Sequence, residues 1–282
     1  MIISNEPSYS VLMSVYYKEK PEYLRDSIDS MLNQTVSPAE FVLVCDGPLT
    51  PELDAVIAQY LNSESGRLFK VIRLECNSGL GAALNIGLNE CNSQFIARMD
   101  SDDISLPDRC EKELAILSTG EIDFVSGTVL EFCDSPSNVF SCRKLPEDTE
   151  SILEFAKKRN PINHPAVMFK KDAVLSSGGY QPFYLLEDYF LWIRMLSNGF
   201  RAQNISDPLV YMRADEGLYS RRGGFKYASS QIKLLKYMYQ NQFISINEFV
   251  ILAILRAGVS LVPTTLRKMM YSKFVRSAEY ND

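Results

Sequence analysis

The chain has 282 residues, 46% hydrophobic and 23% charged, with a net charge of −6 and one histidine, His164. That length can bury a substantial core, in one large domain or two small ones. Six scattered cysteines (45, 76, 91, 110, 133 and 142) without a C-x-x-C pair, beside that lone histidine, argue against a thiolate–imidazole zinc site, and no stretch approaches the roughly 20 apolar residues of a bilayer span. The start, Met1-Ile2-Ile3-Ser4-Asn5-Glu6, lacks a basic segment followed by an apolar run, so no secretory signal is expected. Reduced, mostly buried cysteines in a cytoplasmic protein fit this pattern.

Along the first 130 residues strand-like and helix-like stretches alternate. Ser10–Val15 reads as a buried strand, followed by a helix over 21–32 with Pro21 near N1 and Leu24, Ile28, Met31 and Leu32 on one face. Phe41–Cys45 is a second strand, ending at Asp46-Gly47-Pro48, and a helix over 51–62 leads to a third strand, Phe69–Leu74. Residues 81–90 read as helix and Phe95–Met99 as the strand feeding Asp100. This alternation predicts a parallel, doubly wound sheet, in which ligands bind beyond the carboxyl ends of the strands. The middle is more mixed, with strands near 122–129, 165–170 and 208–213 and helices near 149–159 and 187–198. From 226 onward the pattern is helical.

Three acids fall within four residues in Arg98-Met99-Asp100-Ser101-Asp102-Asp103. Such crowding is cheap only on a solvated turn or beside a cation, and Mg²⁺ commonly bridges one or two carboxylates to substrate phosphates. The same residue types also favour turns and helix N-caps. Asn77-Ser78-Gly79-Leu80-Gly81 joins two glycines to a helix start, where a backbone can approach a phosphate or ribose; a plain loop cap has the same composition. Asp46 could accept from a nucleobase N–H or ribose hydroxyl, or serve as a turn residue. Glu187-Asp188 opens a helix: the pair reads as ordinary capping acids or as a general base, whose strength the helix N-terminus weakens and a neighbouring acid restores. His164 reads as a hydrogen-bonded structural residue. Residues 217–278 carry ten basic side chains against one acid, a net +9 that leaves −15 elsewhere. That asymmetry points to an anionic partner for this segment. Residues 249–262 read either as lying in a membrane interface or as a helix pair packed on the core with a solvated basic face.

In combination these segments resemble glycosyltransferase family 2, the inverting sugar-nucleotide transferases with the GT-A fold. The matching residues are Ser14-Val15-Tyr16, Asp46-Gly47, Asn77-x-Gly79-Leu80-Gly81-x-x-Leu84-Asn85-x-Gly87, Ala97-Arg98-Met99-Asp100-Ser101-Asp102-Asp103-x-x-Leu106-Pro107-x-Arg109 and Glu187-Asp188-Tyr189-x-Leu191-Trp192, in the family's order over roughly 9–213. Tyr211-x-Arg213, Arg221-Arg222-Gly223-Gly224 and the basic tail are similar to bacterial enzymes of O-antigen, capsule and exopolysaccharide assembly. The resemblance implies an α/β GT-A catalytic domain over 1–216, with a nucleotide-sugar half (1–110) and an acceptor half (111–216). A basic helical extension over 217–282 would follow. It implies that Ser14, Tyr16, Asp46, Asn77, Gly79, Asn85, Arg98, Asp100 and Arg213 line the donor site, with Arg221 and Arg222 also near a diphosphate. Asp100 and Asp102 would form the Asp-x-Asp pair for Mn²⁺ or Mg²⁺, Asp102 as the direct ligand and Asp100 nearer the ribose. Asp188 would be the catalytic base.

Cys45-Asp46-Gly47-Pro48 departs from the two acids and serine of many relatives, which bears on base recognition. The Gln-x-x-Arg-Trp motif of processive synthases is absent, so transfer of a single sugar is expected. The implied activity is metal-dependent, inverting transfer of a hexose from a UDP-sugar to a polyprenyl-diphosphate-linked sugar. The protein would sit peripherally on the cytoplasmic face of the cell membrane, and no nucleic-acid partner is expected. Two other classes remain at this point. A sugar-phosphate nucleotidyltransferase would need a glycine-rich loop after the first strand, where Ser14-Val15-Tyr16-Tyr17-Lys18 stands. A non-catalytic nucleotide-sugar-binding module would tolerate loss of Asp188.

Overall fold

Short, largely apolar segments form most strands of a nine-stranded sheet in the computed structural model, which describes residues 8–214 and 224–261. β1 (Tyr9–Val15), β2 (Glu40–Cys45), β3 (Phe69–Arg73) and β4 (Phe95–Asp100) pair in the order β3-β2-β1-β4, all parallel. Helices α1 (Pro21–Leu32), α2 (Pro51–Leu61) and α3 (Leu80–Glu90) make the crossovers. Pro21 and Pro51 occupy first-turn positions, where a missing N–H costs nothing, and the Thr50 hydroxyl caps α2 at Leu53 N. The chain runs outward from β1 to β3, then returns to β4 on the other side of β1. This reversal opens a crevice at the carboxyl ends, where the register sets Ser14 beside Val44 and Asp100.

From residue 104 the sheet is mixed and continues β4-β8-β6-β9-β5, with β7 hanging from β6. The elements are β5 (Ile104–Ser105), α4 (Arg109–Leu117), β6 (Phe124–Phe132), β7 (Val139–Arg143), α5 (Thr149–Ala156), β8 (Met168–Lys170), α6 (Lys171–Ser176), α7 (Glu187–Ser197) and β9 (Ala202–Arg213). β8 runs antiparallel to both β4 and β6, and β6 and β9 are parallel. Residues 165 and 166, expected to begin a strand, lie in a 3-10 turn over His164–Ala166, so β8 is only three residues long.

Apolar clusters cover both sheet faces. α7 is buried almost all round, from Tyr189 to Leu196, and Trp192 stacks on Phe124 of β6 at 5.5 Å between centroids. The helix that presents Asp188 is therefore a fixed platform. Gly87 of α3 permits close helix–sheet packing, because a Cβ there would lie 2.5 Å from Leu12 Cδ1 and 2.7 Å from Val44 Cγ2. Two further helices follow, α8 (Gly224–Gln240) and α9 (Ile246–Leu261). Leu234, Leu235 and Met238 of α8 enter the same cluster as α3 and α7, and Phe249, Leu252 and Ala253 of α9 pack against it. No helix among the described residues is long and apolar enough to cross a membrane. All six cysteines are unpaired, with Cys45, Cys91 and Cys110 buried.

Candidate active site

The acidic loop leaves β4 at the switch point. Arg98, only 1% exposed, directs both terminal nitrogens at the Asp100 carboxylate. Residues two apart on a strand share a face, which is why this pairing forms. Arg98 therefore orients Asp100, the neighbouring acid of the loop. Asp103, buried, accepts from Arg213 N at 2.8 Å, and Arg213 Nε donates to Asp102 O at 3.2 Å. The Arg213 guanidinium lies over Tyr23, 3.6 Å from its ring centroid, and 4.7 Å from that of Phe132. The structure thus joins Arg213 to the acidic loop, 110 residues earlier. Arg221 and Arg222 lie outside the described residues.

Among the described residues no basic side chain pairs with the Asp102 carboxyl. Burial, then the charges of Asp100 and Glu19, push it up to about 7. Glu19, not anticipated from the sequence, accepts from Ser101 Oγ at 2.5 Å. A carboxyl this crowded gains from a cation beside it. No three His, Cys, Asp or Glu side chains among the described residues form a metal site by themselves. That suits a hard cation completed by substrate phosphates and water, not a closed protein cage. The residues fit a divalent cation on Asp102, beside Asp100, whose two oxygens both meet Arg98.

Across the crevice, Asp46 turns inward. Its Oδ1 accepts from Ser78 N at 2.6 Å and its Oδ2 from Gly79 N at 3.0 Å, while Asn77 Nδ2 donates to Asp46 O at 3.2 Å. The carboxylate is the clasp of the glycine loop. Gly47 makes the approach possible: its φ is +87°, and a Cβ would meet Asn77 N at 2.8 Å. Gly79 also has φ +87° but borders open space. Ser14 is partly exposed at the end of β1, and Tyr16 is 41% exposed just beyond it. Asn85, expected at the nucleotide, has its amide committed elsewhere: Nδ2 donates to Tyr180 O and Oδ1 accepts from Tyr180 N at 2.7 Å. Asn85 thereby anchors the loop before α7.

Tyr180 draws the two halves together. It is buried, its phenol is pushed up first by burial and then by the charges of Asp188, Asp100 and Glu187, and Arg98 opposes them. Its hydroxyl is 2.9 Å from His164 Nε2. Burial and the nearby Arg98 charge hold His164 well below the usual imidazole range, so it is a neutral hydrogen-bonding residue, as its surroundings in the sequence suggested. A Cβ on Gly81 would stand 3.5 Å from Tyr180 Cβ and 3.8 Å from Glu187 Cβ, so the start of α3 faces the start of α7. Glu187 is raised by burial, with Asp188 adding to the shift, and its Oε2 is buried without a partner among the described residues. Asp188 is half-buried, and its Oδ2 accepts from Asn160 Nδ2 at 2.7 Å.

The sequence profile described as "Glycosyl transferase family 2" matches residues 10–174. The chain belongs to that family. The chain is 42% identical over 274 residues, 96% of this chain and 97% of that one, to the Escherichia coli protein named UDP-Gal:alpha-D-GlcNAc-diphosphoundecaprenol beta-1,3-galactosyltransferase. The fold is GT-A. S. aureus TarS 1-349 in complex with UDP-GlcNAc superposes with a TM-score of 0.67 at 18% identity, covering 95% of this chain and 76% of that one. The Pyrobaculum calidifontis mannosyltransferase in complex with GDP-Man and Mn²⁺ gives 0.64 at 13% identity, covering 96% and 81%. Family membership sets aside the nucleotidyltransferase alternative.

Proposed function

We propose that this family 2 glycosyltransferase moves one hexose, with inversion, from a UDP-sugar to a lipid-diphosphate-linked sugar during assembly of a bacterial surface polysaccharide. The observation that carries the reading is that buried Tyr180 feels the charges of both Asp100, in the acidic loop, and Asp188, at the start of the buried helix α7. The end-to-end likeness to a galactosyltransferase of known donor and acceptor supports the choice of substrates. Asp46, Ser78 and Gly79 shape the loop offered to the nucleotide, and Ser14 and Asp100 border it. A divalent cation, Mn²⁺ or Mg²⁺, held by Asp102 would neutralise the departing diphosphate. Asp188 accepts the proton of the acceptor hydroxyl as that oxygen bonds to the anomeric carbon and the bond to the diphosphate breaks. One displacement from an α-linked donor leaves a β-linkage.

A panel of UDP-hexoses offered with a GlcNAc-diphosphate-lipid is expected to yield a single added hexose, β-linked by the anomeric coupling constant in NMR. An α-linked product would overturn the single-displacement mechanism, and no transfer from any UDP-sugar would overturn the donor class.

The C-terminal helices are proposed to rest on an anionic membrane surface. Ile246, Val250 and Ile254 recur every four residues on α9 with Ile251 and Leu255 beside them, and all five are 47–68% exposed, opposite the face packed on the core. Phe225 is 83% exposed. The +9 charge of 217–278 complements anionic headgroups, although Arg267, Lys268, Lys273 and Arg276 fall outside the described residues. Ile251→Asp with Ile254→Asp is expected to lower binding to phosphatidylglycerol vesicles about tenfold, since each exchanges apolar burial for a like charge. Unchanged vesicle sedimentation would count against the assignment.

A further inference from the structure

Asn160 stands in the loop after α5, and its amide is fixed at both ends. Nδ2 donates to Asp188 Oδ2 at 2.7 Å, while Oδ1 accepts from Ile162 N at 3.3 Å. The second bond sets the sense of the amide, oxygen toward its own loop and nitrogen toward the carboxylate. The loop is held from the other side by Arg256 of α9. Its Nη2 donates to the carbonyls of Lys157 at 3.1 Å and Lys158 at 2.8 Å and to the Tyr189 hydroxyl at 3.1 Å, and its Nη1 donates to Gln231 Oε1 at 2.9 Å. The Tyr189 hydroxyl in turn donates to Ala156 O. The end of α5, the loop bearing Asn160, the first turn of α7 and the C-terminal helices thus form one hydrogen-bonded unit.

We infer that Asn160 is a positioning residue for sugar transfer, holding Oδ2 of Asp188 so that Oδ1 meets the acceptor hydroxyl; the inference rests on the proposal that Asp188 is the base. A carboxylate free to rotate offers either oxygen in many directions, and effective proton transfer needs one of them within hydrogen-bond reach in a fixed orientation. A neutral amide orients the group at less cost to its basicity than an arginine or lysine would. Arg256 keeps the amide in place by capping the carbonyls of the loop that carries it.

Four variants test this: Asn160→Ala, Asn160→Asp, Asp188→Asn and the double Asn160→Ala/Asp188→Asn. Asn160→Ala is expected to lower kcat about tenfold to a hundredfold with the KM for the UDP-sugar unchanged. Losing a donor to the ionised form moves the acid limb of the kcat profile to higher pH. Asn160→Asp, of nearly the same size, moves it further by setting a like charge beside the base. In the Asp188→Asn background, Asn160→Ala should add no further loss, because the two act as a unit. An Asp188→Asn enzyme with near-normal turnover would overturn the base assignment and this inference together. An inactive Asp188→Asn alongside Asn160 variants of unchanged kcat and pH profile, or a fully multiplicative loss in the double variant, would overturn this inference alone. So would a lowered Tm with an unaltered profile, which is the signature of a purely structural asparagine.

Discussion

Asp188→Asn is expected to lower kcat about a thousandfold while the affinity for the UDP-sugar stays within about twofold. The side chain is isosteric, and its amide can still meet Asn160 through oxygen, so the start of α7 should hold its place. The surrounding apolar packing of Tyr189 to Leu196 does not depend on the charge. What is lost, under the proposed mechanism, is the group that takes the acceptor's proton, and a single positioned base typically supplies about 10² to 10⁴ of the rate. Steady-state kinetics with the acceptor at saturation, paired with titration of the donor, separates the two effects. Near-normal turnover would assign the base elsewhere, and a large loss of donor affinity would place Asp188 at the sugar instead.

The two acids of the Asp-x-Asp pair should respond in opposite ways to loss of charge. Asp102 is crowded by Asp100 and Glu19, so Asp102→Asn should relieve repulsion and raise Tm by about 2 °C, while turnover falls at least a hundredfold with the cation's protein ligand gone. Asp100→Asn should instead strand the buried Arg98 guanidinium, at a cost of about 3 kcal/mol, because breaking an ion pair leaves its buried partner uncompensated. Thermal denaturation of the two variants beside their kcat values checks this. A shared direction of stability change would mean that Asp100 and Asp102 are not in the different environments described above.

Much of the first half was legible because each strand is a short, largely apolar segment and each following helix begins at a proline or a glycine loop. The second half was harder for identifiable reasons. α4 mixes charge into its inner face: Arg109 and Glu113 are both fully buried and paired at 3.1 Å beside Cys110, Leu114 and Leu117, with Arg109 also bonded to Arg98 O and Val167 O, so its apolar stripe is narrow. β5 has two residues, and β7 hangs at the margin of the sheet, so neither carries a strong pattern. In the site, the acids and glycines stood out by type and spacing, but what they touch did not. Arg98 and Asn85 match the family's motif and are spent on Asp100 and on the Tyr180 backbone. Asn160, 28 residues from Asp188, and Glu19, 82 from Ser101, come into play only through tertiary contact.

Calorimetric titration of UDP, with and without Mn²⁺ and repeated for Asp102→Asn, tests the central claim most directly. A site built from the glycine loop, Asp46 and the acidic loop predicts UDP binding that strengthens at least tenfold with the metal and loses that gain in the variant. Metal-independent binding of equal strength in both proteins, or no binding at all, would contradict the claim and leave the acidic loop as a turn and helix cap.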